Sequence, residues 1–150
     1  HLDRPAAAGY PGRMVRPWVV ALAVVLPAAC ESGPRAVPPK PPNTELVVGT
    51  YERHPPLGET AIRLRADGSL RLAKTRAVLD QDPPLATGTW KIEGAKLSLT
   101  YDGGMCADAP ATRTGVYTVV ISRIGIRFTK VNDDCARRAA IDGQTWWRAR

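Results

Sequence analysis

Histidine, paired carboxylates and cysteine are the side chains of this chain that could do chemistry, and their spacing decides which. His54 stands beside Pro55 and Pro56, which places it on a loop, and no acid or nucleophile accompanies it at a useful spacing. Asp133 and Asp134 are adjacent. On a helix they diverge by ~100° and cannot face one another as acid and base, so their expected role is to favour a helix N-terminus. The run Tyr101-Asp102-Gly103-Gly104-Met105-Cys106 has glycines without the spacing of a phosphate-binding loop, and it reads as a flexible rim. Cys106 and Cys135 lack further ligands at metal-binding spacing. No catalytic constellation, metal site or cofactor motif emerges, and the expectation is a protein that is not an enzyme. The two cysteines remain as a pair. In an oxidising compartment they bond and close a loop of about 30 residues, worth on the order of 3–4 kcal/mol. Otherwise they are free thiols.

The compartment is read from Met14–Cys30. Arg16 supplies a positive charge, Trp18–Leu26 an apolar run, and Ala28-Ala29-Cys30 a small-residue ending. This is the layout of an export signal, well short of the ~20 residues with which a helix spans hydrocarbon. The ending resembles the lipobox of bacterial lipoproteins, with Pro27 standing where an aliphatic residue is usual. The resemblance implies that residues 14–29 are removed and that Cys30 is lipidated as the mature N-terminus. The protein would then sit on a membrane of the cell envelope, facing the periplasm or the exterior. Residues 1–13 show no periodicity and read as an extension ahead of the true start. Residues 30–44 form the tether: five prolines lie between Glu31 and Asn43, and an extended spacer of that kind reaches roughly 40 Å at ~3.1 Å per residue.

The formal net charge is +7, carried mostly by arginines spread singly along the chain. A scattered positive surface attracts anionic lipid or cell-wall polymer weakly. Nucleic acid is not an expected partner, because no aromatic–basic cluster is present.

Residues 45–150 change character, to short alternating runs separated by glycine turns. Ala61–Arg65 and Ser69–Lys74 flank Asp67-Gly68, Thr87–Ile92 and Lys96–Tyr101 flank Glu93-Gly94-Ala95, and Val116–Ile121 and Ile126–Val131 flank Ser122–Gly125. Leu46–Arg53 precedes these hairpins and Thr145–Arg150 follows them, which makes eight strands. Alternation points Ile62, Leu64, Leu70, Leu72, Trp90, Ile92, Leu97, Leu99, Ile126 and Phe128 one way, and Arg63, Arg65, Arg71, Lys91, Ser98 and Arg127 the other. The predicted fold class is all-β: an eight-stranded antiparallel up-and-down barrel, closure being the economical way to bury one apolar face and remove the edges. A two-layer sandwich is the alternative. Val131–Gly143 reads as one short helix before the last strand, capped by Asn132 or Asp133 and ended by Gly143. Of Trp146 and Trp147, one faces inward.

The strand openings Gly49-Thr50-Tyr51, Gly88-Thr89-Trp90 and Gly115-Val116-Tyr117, the Asp67-Gly68 hairpin and the close from Phe128 to Arg148 resemble the small bacterial lipocalin-like, or calycin, lipoproteins. The resemblance implies a meander barrel that holds a small apolar molecule. It also implies an arginine from the last strand, Arg148 or Arg150, stacked across the closed end against an early aromatic, here Tyr51 where the signature has tryptophan. The interior positions expected to line a ligand site are Tyr51, Leu64, Leu72, Trp90, Leu99, Tyr117 and Phe128. An eight-stranded barrel is just wide enough to fill itself with side chains or to keep one small site. Two functions follow. One is an exported, lipid-anchored binding protein for a small apolar ligand. The other is a filled barrel that docks on an envelope protein through its arginine-bearing face, or inhibits an enzyme through the rim loop Asp102–Thr112.

Overall fold

The computed structural model describes residues 36–54 and 58–150, together with Gly9, Gly12 and Gly33. Cys30 and the expected export signal lie outside the described residues. The chain divides into two units, His1–Val37 and Pro38–Arg150, and the second holds the barrel. Its strands are β1 (Gly49–Arg53), β2 (Thr60–Leu64), β3 (Ser69–Ala73), β4 (Ala86–Glu93), β5 (Lys96–Gly104), β6 (Thr114–Ile121), β7 (Gly125–Asn132) and β8 (Thr145–Arg148). Each pairs antiparallel with the next, and β8 returns to β1 through Tyr51↔Arg148 and Glu52↔Trp147, so the barrel is closed and the sandwich is excluded.

Alternation positions the core. Ile62, Leu64, Leu70, Leu72, Leu97, Leu99, Tyr117, Val119, Ile121, Ile126 and Phe128 are buried in one cluster, while Arg65, Lys91 and Arg127 are exposed outside. Trp146 faces inward and Trp147 is half-exposed on the opposite side of the strand. Tyr117, Phe128 and Trp146 stack edge-to-face in series, with centroids 6.0 and 6.1 Å apart. That geometry contributes beyond the area buried. The outer face is not wet throughout. Ala61 and Ala73 are opposite one another on β2 and β3, and the shallow floor they leave is covered by Leu79, fully buried, from the β3–β4 connection. Arg71 holds that connection down by donating to the Leu79 and Gln81 carbonyls, and Arg63 by pairing with Asp80.

Three elements differ from the sequence expectation. The first strand starts at Gly49 rather than Leu46, because Asn43–Leu46 form a helical turn, α1, whose Asn43 side chain donates to the Gly94 carbonyl of the β4–β5 turn. The segment 38–44, expected as tether, thus belongs to the barrel unit. A second helical turn, α2 (Pro110–Arg113), lies in the rim loop. The helix expected over 131–143 shrinks to α3 (Ala136–Ala139), since β7 continues to Asn132. Its N-cap is Cys135, not Asn132 or Asp133, and the cysteine sulfur accepts from the Arg138 N–H.

The Gly-x-aromatic openings have one physical cause. A Cβ on Gly49 would overlap the Arg148 guanidinium, one on Gly88 the backbone of Thr100, and one on Gly115 the Asp133 carboxylate and Arg138 Nε. Each glycine admits a group that crosses its strand, and two of the three admit an arginine.

Candidate functional site

The two ends of the barrel are built differently. At the closed end, where α1 enters, the Arg148 guanidinium lies 4.9 Å from the Tyr51 ring centre. It donates to the Val48 carbonyl at 2.8 Å, to the Leu46 carbonyl and to the Tyr51 hydroxyl at 2.9 Å. Tyr51 is fully buried and its hydroxyl reaches the Leu46 and Val47 carbonyls, both at 3.0 Å. Burial raises its pKa above the ordinary tyrosine value, opposed by the Arg148 charge. Trp90, half-buried, donates its Nε1–H to the Arg65 carbonyl beside the β2–β3 turn.

At the open end Arg138 is only 1% exposed. Its fork meets Asp133, Nε to Oδ2 and Nη2 to Oδ1, both at 2.7 Å. Its remaining donors go to the Arg113 and Thr112 carbonyls at the end of α2, both at 2.8 Å, and its plane lies 4.6 Å from the Tyr101 ring centre. Asp133 also accepts from the Tyr117 hydroxyl and the Cys135 N–H. Burial by itself raises the Asp133 pKa, but the hydrogen bonds from Arg138, Tyr117 and the Cys135 amide outweigh it and hold the carboxyl below its ordinary range. Burial raises both Tyr117 and Tyr101; hydrogen bonding to the Asp133 carboxylate adds to the rise at Tyr117. A buried pair needs its lone pairs and protons satisfied to persist, and this one has them satisfied. Asp133 is therefore an anchor for a buried arginine and not the helix-capping charge expected of it. The Cys106–Cys135 disulfide, with Cα atoms 5.9 Å apart, ties the same segment to the end of β5.

Next to this network a half-enclosed cavity of about 150 Å³ opens at the end of the barrel. Its wall is Ile62, Leu72, Leu85, Leu99, Tyr101, Met105, Phe128, Ile141 and Trp146, with Thr60 and the three arginines Arg53, Arg137 and Arg138 as its polar residues. Of the positions expected to line a ligand site, Leu72, Leu99 and Phe128 do so. Tyr51, Leu64, Trp90 and Tyr117 pack in the core or at its edge and are not in this wall. His54 lies on an open surface groove with Glu52, Arg76 and Arg123. Among the described residues no three His, Cys, Asp or Glu side chains converge as metal ligands.

Sequence reasoning missed Arg53, Arg137, Arg138 and the packing role of Asp133. Arg138 had one legible signal: a carboxylate five residues earlier, with a cysteine between, in the segment that interrupts the alternation. Arg53 also had one, since it stands two residues after Tyr51 in β1 and alternation puts it on the same, inward face. No protein-family model, curated protein or solved structure matches the chain.

Proposed function

We propose that this is an exported, lipid-anchored barrel of the lipocalin-like kind that binds a small apolar ligand in its open end. The observation that carries the reading is the cavity of about 150 Å³ with a mainly aliphatic and aromatic wall. An apolar cavity of about that size is enough to take a benzene-sized molecule. Lipidation at Cys30 would hold the barrel at the cell envelope. Trp146 in the cavity wall makes the test direct. Titration of the intrinsic fluorescence with single-ring and short-chain apolar compounds should change the emission and saturate. No change with any of them overturns the reading.

A second reading is favoured by a specific observation. The cavity is about half the ~300 Å³ at which pockets for drug-sized ligands begin. The rest of the interior is occupied by Tyr51, Leu64, Leu97 and Tyr117, all essentially without exposure. A barrel so filled suits a non-enzymatic envelope module that docks on a protein through its outer face. For the anchor itself, Cys30→Ser should release the protein from membranes or block its maturation; unchanged fractionation overturns it.

A further inference from the structure

The wall of the open-end cavity contains three arginines and no carboxylate. The Arg138 charge is met from behind by Asp133. No ion pair within 4.0 Å is formed by Arg53 or Arg137 among the described residues, although Arg63, Arg71, Arg76 and Lys91 each find one. Two positive charges at the mouth of an apolar pocket thus have no carboxylate within ion-pair distance among the described residues, although Glu52 and Glu59 share a neighbouring groove with Arg53.

Arg53 is also positioned. Its Nε donates to the Gly58 carbonyl and its Nη2 to the Thr60 hydroxyl, both at 3.1 Å and both neutral acceptors. Its guanidinium lies 5.7 Å from the Trp146 ring centre, on the cavity wall. A guanidinium carries five N–H donors, so two neutral bonds fix its place and leave donors to spare.

We propose that the open end selects an organic monoanion, with its apolar group in the cavity and its carboxylate between Arg53 and Arg137. This rests on the small-molecule reading above and narrows it to a ligand class. A cation is repelled at this mouth. A neutral ring fills the same space but brings no charge to the two guanidinium groups. The cavity volume limits the apolar part to about one ring or a short chain, so a long-chain acid is too large to enter whole.

The test compares isosteres on the purified full-length protein by Trp fluorescence and calorimetry. Benzoate and 3-phenylpropanoate are set against benzamide and 3-phenylpropanamide. The carboxylates should bind about tenfold tighter or more, as for charge-assisted bonds, and their advantage should shrink with added salt. Arg53→Gln and Arg137→Gln should each pull the carboxylate-to-amide affinity ratio toward one, while Arg127→Gln on the outer face leaves it unchanged. Thermal melting of each variant checks that the barrel is intact, and the exposed Arg137 serves if Arg53→Gln fails to fold. Equal binding of amide and carboxylate, or a ratio insensitive to both arginines, overturns this inference while leaving the apolar reading standing. Binding of neither compound at millimolar concentration overturns both.

Discussion

Each end of the barrel carries an arginine stacked on a tyrosine, yet the two pairs solve opposite problems. Arg148 lies 4.9 Å from Tyr51 and spends its donors on neutral acceptors, the carbonyls of Leu46 and Val48 and a phenol. No carboxylate pairs with it among the described residues. Arg138 lies 4.6 Å from Tyr101, is almost wholly buried, and meets a buried carboxylate through two parallel bonds. The difference follows from solvent. Arg148 is partly buried on the wall of an open surface groove, where water can share its charge, so carbonyl acceptors suffice to pin α1 across the end, although its Nε is buried without an acceptor among the described residues. Arg138 has no such access, and a charge without water needs an ion of opposite sign. The closed end is thus a lid held by polar bonds to neutral acceptors. The open end is a rigid ionic hinge-pin beside which a cavity can stay unfilled.

The sharpest way to break this comparison is Arg138→Ala. It strands Asp133 in the interior without its counter-ion and should cost about 3–5 kcal/mol in chemical denaturation. Arg148→Ala, which removes no partner of a buried carboxylate, should cost about 1–3 kcal/mol. Comparable losses at the two ends would show that the buried pair is no more demanding than the neutral one. Acid separates the ends as well. Because folding holds the Asp133 pKa below its ordinary range, its contribution is complete above about pH 4, the value of a carboxylate in the unfolded chain, and is lost as the pH falls through the folded value. Asp133→Asn should flatten that acid limb, whereas Arg148→Ala should leave its shape alone. The alkaline limb is common to both ends: Tyr101, Tyr117 and Tyr51 are all raised, so their contributions are present below about pH 10 and fade above it.

The disulfide comes next in size, and it belongs to the open end alone. It spans 29 residues, and closing a loop of that length stabilises by about 3–4 kcal/mol in the chain-entropy account. The double variant Cys106→Ala, Cys135→Ala should therefore lose stability of that order. Hydrogen exchange should rise first around α2 and α3, which the bridge and Arg138 hold together, with the α1–Arg148 closure little affected. Uniform acceleration over the whole barrel would mean that the two ends do not open independently.

How much of this was legible beforehand depends on what kind of force acts at each residue. The eight strands were legible because alternation is a local pattern, and Ile62, Leu64, Leu70 and Leu72 announce their face two residues at a time. The hairpin at Asp67-Gly68 was legible because its Asp67 carboxylate accepts from the Ser69 amide and hydroxyl, a bond that local sequence specifies. Arg138 was not, because an arginine read singly belongs on the surface, and only the folded chain shows that Thr112, Arg113 and Asp133 converge on it from both sides. Asp133 and Asp134 look identical in sequence; the turn at the end of β7 buries the first and leaves the second in water. Leu46 looked like the start of a strand, yet its carbonyl is wanted by Tyr51 and Arg148, which favours a helical turn there. The cavity escaped for a different reason. Its volume is what remains after Phe128, Trp146 and Met105 have chosen their rotamers, and no pattern of residue types encodes a remainder.

The smallest effect makes the finest distinction between the ends, and it comes from Arg148→Lys. Lysine keeps the positive charge and a long stem but replaces a planar fork with a single ammonium. If Arg148 works as a charge over the Tyr51 ring, the substitution should cost almost nothing. Its surroundings argue otherwise. Two of its nitrogens reach two carbonyls, Val48 and Leu46, that lie two residues apart, and the fork spans them because it is flat. An ammonium at one point satisfies one and leaves the other without a donor. The expected loss is about 1 kcal/mol, the net worth of one hydrogen bond, read as a small shift in the denaturation midpoint with an unchanged slope. The same change at Arg138 should cost clearly more, because there the fork also serves Asp133 and two α2 carbonyls. Equal costs for Arg148→Lys and Arg138→Lys would mean that shape matters alike at both ends, and that the buried carboxylate adds charge but no geometry.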